Sequence, residues 1–235
     1  MIGLCRFEMR ENPNLFHEDC KTKESAQDGF CVRLFCMIYL IGGAPRCGKT
    51  LLSRALATKK HVPWMSIDVF RSGVVAYIPQ DQIKNKLPDD NIRLETSTPK
   101  ELLESEILES KTLWPGVRSI IEHLIKGGQE YIIEGVQLMP ELVQELVETA
   151  YWKQIRLVYL VKEDLAEIKE GFPRNKSEHD WLKEALTNTD LVERAARMVE
   201  MKSRYITEQA KKYGFMVVDT GKDFERKLTK LVNGF

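Results

Sequence analysis

Short hydrophobic segments alternate with amphipathic segments along most of the chain. Apolar runs begin at Met37, Trp64, Tyr131, Ile155 and Phe215, and each is followed by residues with a helical hydrophobic pattern. Short apolar runs bounded by turn residues are typical of buried strands. Strands that alternate with helices favour a mainly parallel sheet covered by helices on both faces. The pattern therefore predicts an α/β protein with three layers.

The helix before the third apolar run has the clearest local signals. Thr98 can cap its N-terminus, Pro99 suits the first helical position, and Glu101 completes a capping box. Farther along, Trp114 and Pro115 are predicted to break or kink this helix, because proline lacks the backbone N–H that the helix needs.

Residues 1–36 differ from the rest of the chain, since they show neither strand nor helix periodicity and hold four of the five cysteines. The hypothesis is that they form a poorly packed extension, produced by an upstream start codon, and that residues 37–235 form the domain. The alternative is a zinc site, which the lack of paired C-x₂₋₄-C spacings disfavours. Its ligands would come from Cys5, His17, Cys20, Cys31 and Cys36.

Composition and charge narrow the possible partners. Lys and Arg number 35, as do Asp and Glu, so the zero net charge gives no indication of nucleic acid as the main partner. The longest apolar run, residues 34–44, is too short to span a membrane, and the first residues lack the apolar core of a secretory signal. The sequence therefore predicts a cytoplasmic protein with free thiols, without membrane or nucleic-acid partners.

The strongest motif follows the first predicted strand. Residues 43–50, GAPRCGKT, fit the phosphate-loop (Walker A) pattern G-x-x-x-x-G-K-[ST], with a strand before it and an amphipathic helix after it. Backbone N–H groups of such a loop surround phosphate oxygens, Lys49 bridges the β- and γ-phosphates, and Thr50 offers its hydroxyl to Mg²⁺. The residues predicted to bind the nucleotide are Gly43, Ala44, Pro45, Arg46, Cys47, Gly48, Lys49, Thr50 and Leu51.

The order of the motifs resembles that of the nucleoside-monophosphate-kinase-like group of small-molecule kinases. Within that group the chain most resembles the branch that contains 2-phosphoglycerate kinase-like proteins, chloramphenicol phosphotransferase and zeta toxins. The resemblance covers residues 37–235 and depends on the segments IYLIGGAPRCGKTLLSRALA, SIDVFRSG, YIIEGVQLMP, IRLVYLVKED and FMVVDTG. It implies a five-stranded parallel sheet of order 2-3-1-4-5, an arginine-containing lid at about residues 163–190, and the cofactors ATP and Mg²⁺.

The resemblance also implies an acceptor site beside Asp68. In this branch an Asp at that place orients or deprotonates the acceptor hydroxyl, which suits phosphoryl transfer. The alternative for Asp68 is an N-cap of the following helix. Arg71, one helical turn on, is a candidate for binding an anionic acceptor, and an exposed surface arginine is the alternative.

Two further sites follow from the resemblance. Glu134 ends an apolar strand at the edge where such sheets bind ligands, and it takes the place of the carboxylate that supports Mg²⁺ or the acceptor. No arginine follows in EGVQLMP, which argues against a nucleoside-monophosphate acceptor. Arg174 is the predicted catalytic arginine of the lid, and a solvated surface arginine is the alternative.

Together these features predict an ATP- and Mg²⁺-dependent kinase whose partner is a small molecule with a hydroxyl group. Two alternatives stay open. One is a zeta-like toxin kinase that acts on a sugar nucleotide, and the other is a nucleotide-binding regulatory module without an acceptor. Further lid candidates are Lys176, Arg194 and Arg197, and residues 220–222 are candidates for contact with adenine by analogy with the group.

Overall fold

A computed structural model describes residues 36–87, 94–174 and 188–235 of the chain. The predicted N-terminal extension, residues 1–36, lies outside the described residues apart from Cys36. The thiol of Cys36 donates a hydrogen bond to the carbonyl of Gly128 at 2.7 Å.

A five-stranded sheet forms the centre of the domain. Its order is β2-β3-β1-β4-β5, and every pair of neighbouring strands is parallel. This confirms the predicted three-layer α/β fold and its strand order. The strands are β1 (Ile38–Gly43), β2 (Trp64–Ser66), β3 (Tyr131–Glu134), β4 (Ile155–Val161) and β5 (Val217–Asp219).

Helices cover both faces of this sheet. The described helices are α1 (Lys49–Lys60), α2 (Ile67–Val75), α3 (Gln80–Lys86), α4 (Pro99–Lys126), α5 (Pro140–Val143), α6 (Leu165–Gly171), α7 (Thr189–Tyr213) and α8 (Phe224–Gly234). Short 3₁₀ turns occur at Gln144–Leu146, Trp152–Gln154 and Phe172–Arg174.

Strand β1 separates two hydrophobic cores. Tyr39 and Ile41 belong to the core formed with α1, α7 and α8, whereas Ile38 and Leu40 belong to the core formed with α2, α4 and α5. All six residues of β1 are buried, as expected for a central parallel strand covered on both faces. This central position places the end of β1, where the phosphate motif begins, in the middle of the domain.

Helix α4 begins as predicted and continues farther than predicted. Thr98 and Glu101 form a complete capping box, and the helix then runs for 28 residues with Pro115 inside it. Of the break or kink predicted at Trp114 and Pro115, the break does not occur, because the helix is continuous there. Pro115 itself is exposed, while Leu113 and Trp114 before it are buried, so core packing outweighs the backbone hydrogen bond that the proline removes.

None of the helices in the described ranges is long and apolar enough to cross a membrane.

Candidate phosphate and acceptor site

The phosphate motif forms a tight turn between β1 and α1. Gly43 and Gly48 have φ angles of 138° and 91°, which side-chain-bearing residues rarely adopt. A Cβ atom on Gly43 would lie 2.0 Å from the carbonyl oxygen of Leu160, and one on Gly48 would lie 2.5 Å from the ring of Phe224. The two glycines therefore allow the close approaches that shape the loop.

Arg46 connects this loop to the segment that follows α6. It has a φ of 64°, and its guanidinium lies over the ring of Phe172 at 5.7 Å. Nη1 also donates to the carbonyl of Phe172 at 3.4 Å. The buried Phe172 thus packs against the phosphate loop.

Lys49 is the first residue of α1 and is almost fully buried. Its Nζ donates to the carbonyl of Ala44 at 2.7 Å, so the ammonium group folds back over the loop. Burial lowers the pKa of Lys49, and the neighbouring carboxylates of Glu134 and Asp68 partly oppose this change. The loop therefore holds a desolvated cation beside two carboxylates.

Thr50 and Glu134 meet because β1 and β3 are neighbours in the sheet. The pairing register places Ile41, two residues before the end of β1, beside Glu134, the last residue of β3. The hydroxyl of Thr50 donates to Oε1 of Glu134 at 3.0 Å, and only 4% of Glu134 is exposed. Burial raises the pKa of Glu134, while Lys49 and the hydrogen bond from Thr50 act in the opposite direction.

This pair has the donor chemistry that Mg²⁺ takes in nucleotide sites. Magnesium there uses one or two protein oxygens and completes its shell with water and substrate phosphates. A hydroxyl and a buried carboxylate at hydrogen-bond distance fit that requirement. The described residues contain no group of three or more His, Cys, Asp and Glu side chains suited to a metal ion.

Asp68 lies in the first turn of α2, at the carboxyl end of β2. The N-cap of α2 is Ser66, whose Oγ accepts from the backbone N–H of Asp68 at 3.2 Å. The alternative interpretation of Asp68 as the N-cap is therefore wrong. Its carboxylate instead accepts from Nε2 of Gln137 at 3.0 Å and from Oγ of Ser66 at 3.2 Å.

Arg71 lies on α2 about one turn after Asp68. It is partly buried, and its Nε donates to Oε2 of Glu109 at 2.8 Å. Nη2 donates to the carbonyl of Leu87 at 3.4 Å. Arg71 is thus tied to α4 and to the chain after α3, which is a more ordered setting than that of an exposed surface arginine.

Two residues of this cluster have no counterpart among the sequence predictions. Gln137 follows β3 and lies within the segment YIIEGVQLMP, and Glu109 lies on α4. Gln137 donates to both Asp68 and Glu109. A polar side chain within a motif at the edge of the sheet was a usable signal for Gln137. No sequence signal pointed to Glu109, because it lies within a long helix without a recognised motif.

The predicted lid is described only in part. Arg174 is the last residue of the 3₁₀ turn after α6, and its side chain lies outside the described structure, as does Lys176. Arg194 donates to the carbonyl of Glu95 at 3.0 Å. Arg197 pairs with Glu193 on the same helix.

The segment after β5 contacts the phosphate loop through a hydrogen bond from Thr220. The hydroxyl of Thr220 donates to the carbonyls of Cys47 at 2.9 Å and Val161 at 3.2 Å. Lys222 forms an ion pair with Glu167 at 3.8 Å. Cys47 is fully buried, and burial raises the pKa of its thiol to about 11.

Comparisons with known proteins give structural matches only. No protein-family model matches the chain, and no curated protein matches it. A shikimate kinase from Bacteroides thetaiotaomicron matches with a TM-score of 0.49 at 14% identity, over 84% of this chain and 94% of that chain. A gluconokinase from Sinorhizobium meliloti 1021 matches with a TM-score of 0.49 at 13% identity, over 85% and 91% of the two chains.

A sugar kinase from Janibacter sp. HTCC2649 matches with a TM-score of 0.47 at 16% identity, over 84% of this chain and 93% of that chain. Similarities of this size carry no inference about function. The function proposed below therefore depends on the geometry of the site.

Proposed function

We propose that this chain is an ATP- and Mg²⁺-dependent phosphotransferase that acts on a hydroxyl group of a small molecule. The observation that carries the proposal is the 3.0 Å contact between Thr50 and Glu134, beside the buried ammonium group of Lys49. These three side chains supply a metal-binding pair and a phosphate-binding cation at the end of a phosphate loop. Asp68 lies at the same edge of the sheet, on the side of β2.

On the nucleotide side, residues 43–51 bind the phosphates of ATP. Their backbone N–H groups and the N-terminus of α1 offer positive charge to phosphate oxygens. Lys49 exchanges its bond to the carbonyl of Ala44 for bonds to the β- and γ-phosphates. The ammonium group of Lys49 then donates to anionic phosphate oxygens and no longer to a neutral carbonyl. Because hydrogen bonds between charged groups are stronger, this change favours the binding of ATP.

Thr50 and Glu134 are the residues that would hold Mg²⁺, the hydroxyl directly and the carboxylate through water or directly. When bound, the ion neutralises negative charge on the phosphates of the nucleotide. The hydrogen bond between the two side chains keeps both oxygens at one place before the ion arrives.

On the acceptor side, Asp68 orients the hydroxyl and takes its proton. The hydroxyl oxygen forms a bond to the γ-phosphorus, the bond from that phosphorus to the bridging oxygen breaks, and ADP leaves with the electron pair. Arg71, on the same helix, belongs to the wall of the acceptor site. Arg174 follows Phe172, which contacts the phosphate loop, and we assign it the task of neutralising charge on the transferred group.

No observation of the site favours a toxin kinase that acts on a sugar nucleotide or a regulatory module without an acceptor. Both alternatives share the nucleotide side of the site, so they differ from the proposal only in the acceptor. An acceptor experiment therefore separates all three.

The test measures ATP turnover against a panel of hydroxylated metabolites that includes phosphoglycerates, nucleosides and UDP-sugars. Lys49→Ala is the blank, and Lys211→Ala, an exposed lysine on α7, is the matched control. We expect one compound to stimulate turnover, with loss in Lys49→Ala and retention in Lys211→Ala. Tight ATP binding with no stimulation by any compound would contradict the proposal and favour the regulatory module.

A further inference from the structure

The amide of Gln137 bridges two carboxylates that come from different helices. Its Nε2 donates to Oδ1 of Asp68 on α2 and to Oε1 of Glu109 on α4, both at 3.0 Å. Only 4% of Gln137 is exposed, so water contributes little to this arrangement. The two amide protons are both used, which fixes the position of Asp68 relative to α4.

The bridge is part of a longer chain of polar contacts. The second oxygen of Glu109 accepts from Nε of Arg71 at 2.8 Å, so contacts run from Asp68 through Gln137 and Glu109 to Arg71. The first and last residues of this series of contacts lie on α2. The two residues between them lie on α4 and in the connection after β3. The first turns of α2 are therefore held from two sides.

Only a double donor suits the position of Gln137. Asp68 and Glu109 both direct an oxygen at the same nitrogen, and two carboxylates this close repel each other without a donor between them. An ionised carboxylate in place of the amide would add a third negative charge and donate nothing.

The backbone at Gly135 approaches the amide of Gln137 closely. A Cβ atom on Gly135 would lie 2.7 Å from Oε1 of Gln137 and 2.9 Å from Cβ of Ile67. Oε1 is buried and has no hydrogen-bond partner within the described residues. The two bonds made by Nε2 thus hold the amide in this orientation although its oxygen receives no bond there.

We propose that Gln137 is a positioning residue that holds the carboxylate of Asp68 in place for the acceptor hydroxyl. This inference rests on the proposed function, because it takes Asp68 as the group that meets the acceptor. Gln137 acts through Asp68 and needs no contact with the nucleotide.

The first test is structural and needs no acceptor. Gln137→Met keeps the length of the side chain and removes the amide, and Gln129→Met, at an exposed glutamine after α4, is the matched control. Crystal structures of both variants and of the unmodified chain are compared. We expect the carboxylate of Asp68 to move by more than about 1 Å in Gln137→Met only, because like charges repel without the bridge. An unmoved carboxylate would overturn the proposal.

The second test is kinetic and uses the panel compound that is turned over, or water if none is. We expect Gln137→Met to lower kcat about 10- to 100-fold and to leave the KM for MgATP within about twofold, since a small misplacement of a reacting group has effects of this size. In an Asp68→Asn background, the same change should lower kcat by less than about threefold. Equal losses in both backgrounds would overturn the proposal.

The two tests separate the proposals. If no panel compound stimulates turnover by the unmodified chain, the proposed function fails. The crystal structures then still decide whether Gln137 positions Asp68.

Discussion

At the scale of single residues, burial has opposite effects on two neighbours in the phosphate loop. It disfavours the charged form of each group, so it lowers the pKa of the Lys49 ammonium and raises the pKa of the Cys47 thiol. Neighbouring charges only partly offset the effect of burial in both cases: Glu134 raises the pKa of Lys49, and Lys49 and Lys162 lower the pKa of Cys47. The loop thus places a buried lysine and a buried thiol side by side.

The first prediction concerns the reactivity of Cys47. With a pKa of about 11, roughly one Cys47 thiol in a thousand is ionised at pH 8, and the side chain is fully buried. We expect iodoacetamide to alkylate Cys47 far more slowly than Cys36, with a rate that rises about tenfold per pH unit up to about pH 11. Peptide mass spectrometry of each site over time measures this. Labelling of Cys47 as fast as Cys36 at pH 8 would contradict it.

The second prediction compares two glycines that have opposite surroundings. Gly43→Ala places a methyl group against the backbone of Leu160 and should cost about 1–3 kcal/mol of unfolding free energy and abolish nucleotide binding. Gly73→Ala, on α2, meets nothing within 4 Å and should gain about 0.5–1 kcal/mol. Urea unfolding and titration with a fluorescent ATP analogue measure both effects. Tight ATP binding by Gly43→Ala would refute the close approach described for the loop.

At the scale of elements, local signals predicted the start of α4 correctly, whereas a break at Pro115 does not occur. The capping box of Thr98 and Glu101 is a contact between residues three apart, so the sequence contains all of it. The effect of Pro115 depends on whether the helix is buried on both sides of the proline. Leu113 and Val117 are nearly fully buried, in a core that includes residues far away in the sequence. Rules based on neighbouring residues therefore could not predict how much this packing stabilises the helix.

The third prediction concerns the cost of Pro115. Because Pro115 is exposed, Pro115→Ala restores a backbone N–H without changing the core. We expect it to raise the unfolding free energy by about 2–2.5 kcal/mol, which is the helix penalty of proline less the entropy that proline removes from the unfolded chain. Urea unfolding measures this, with Lys111→Ala, one turn earlier and exposed, as a control expected within about 0.5 kcal/mol of the unmodified chain. A destabilised Pro115→Ala would mean that α4 depends on the proline.

At the scale of the whole molecule, the strand order brings the candidate site together. The order β2-β3-β1 places the carboxyl ends of three parallel strands side by side, and Asp68, Glu134 and Thr50 follow or end those strands. Each of these residues lies in or beside a motif, so the sequence could predict them and their common edge. The bridge from Gln137 to Glu109 joins residues 28 positions apart through a helix without a motif, and only the packed fold shows it.

We propose that the site has a nucleotide side, with Lys49, Thr50 and Glu134, and an acceptor side, with Asp68. The most direct test is to measure MgATP affinity and phosphoryl transfer together in Asp68→Asn, with Glu148→Gln, an exposed carboxylate far along the chain, as the matched control. We predict that Asp68→Asn lowers the rate of transfer about 10²- to 10⁴-fold and leaves the Kd for MgATP within about twofold. Unchanged transfer in Asp68→Asn would contradict the account.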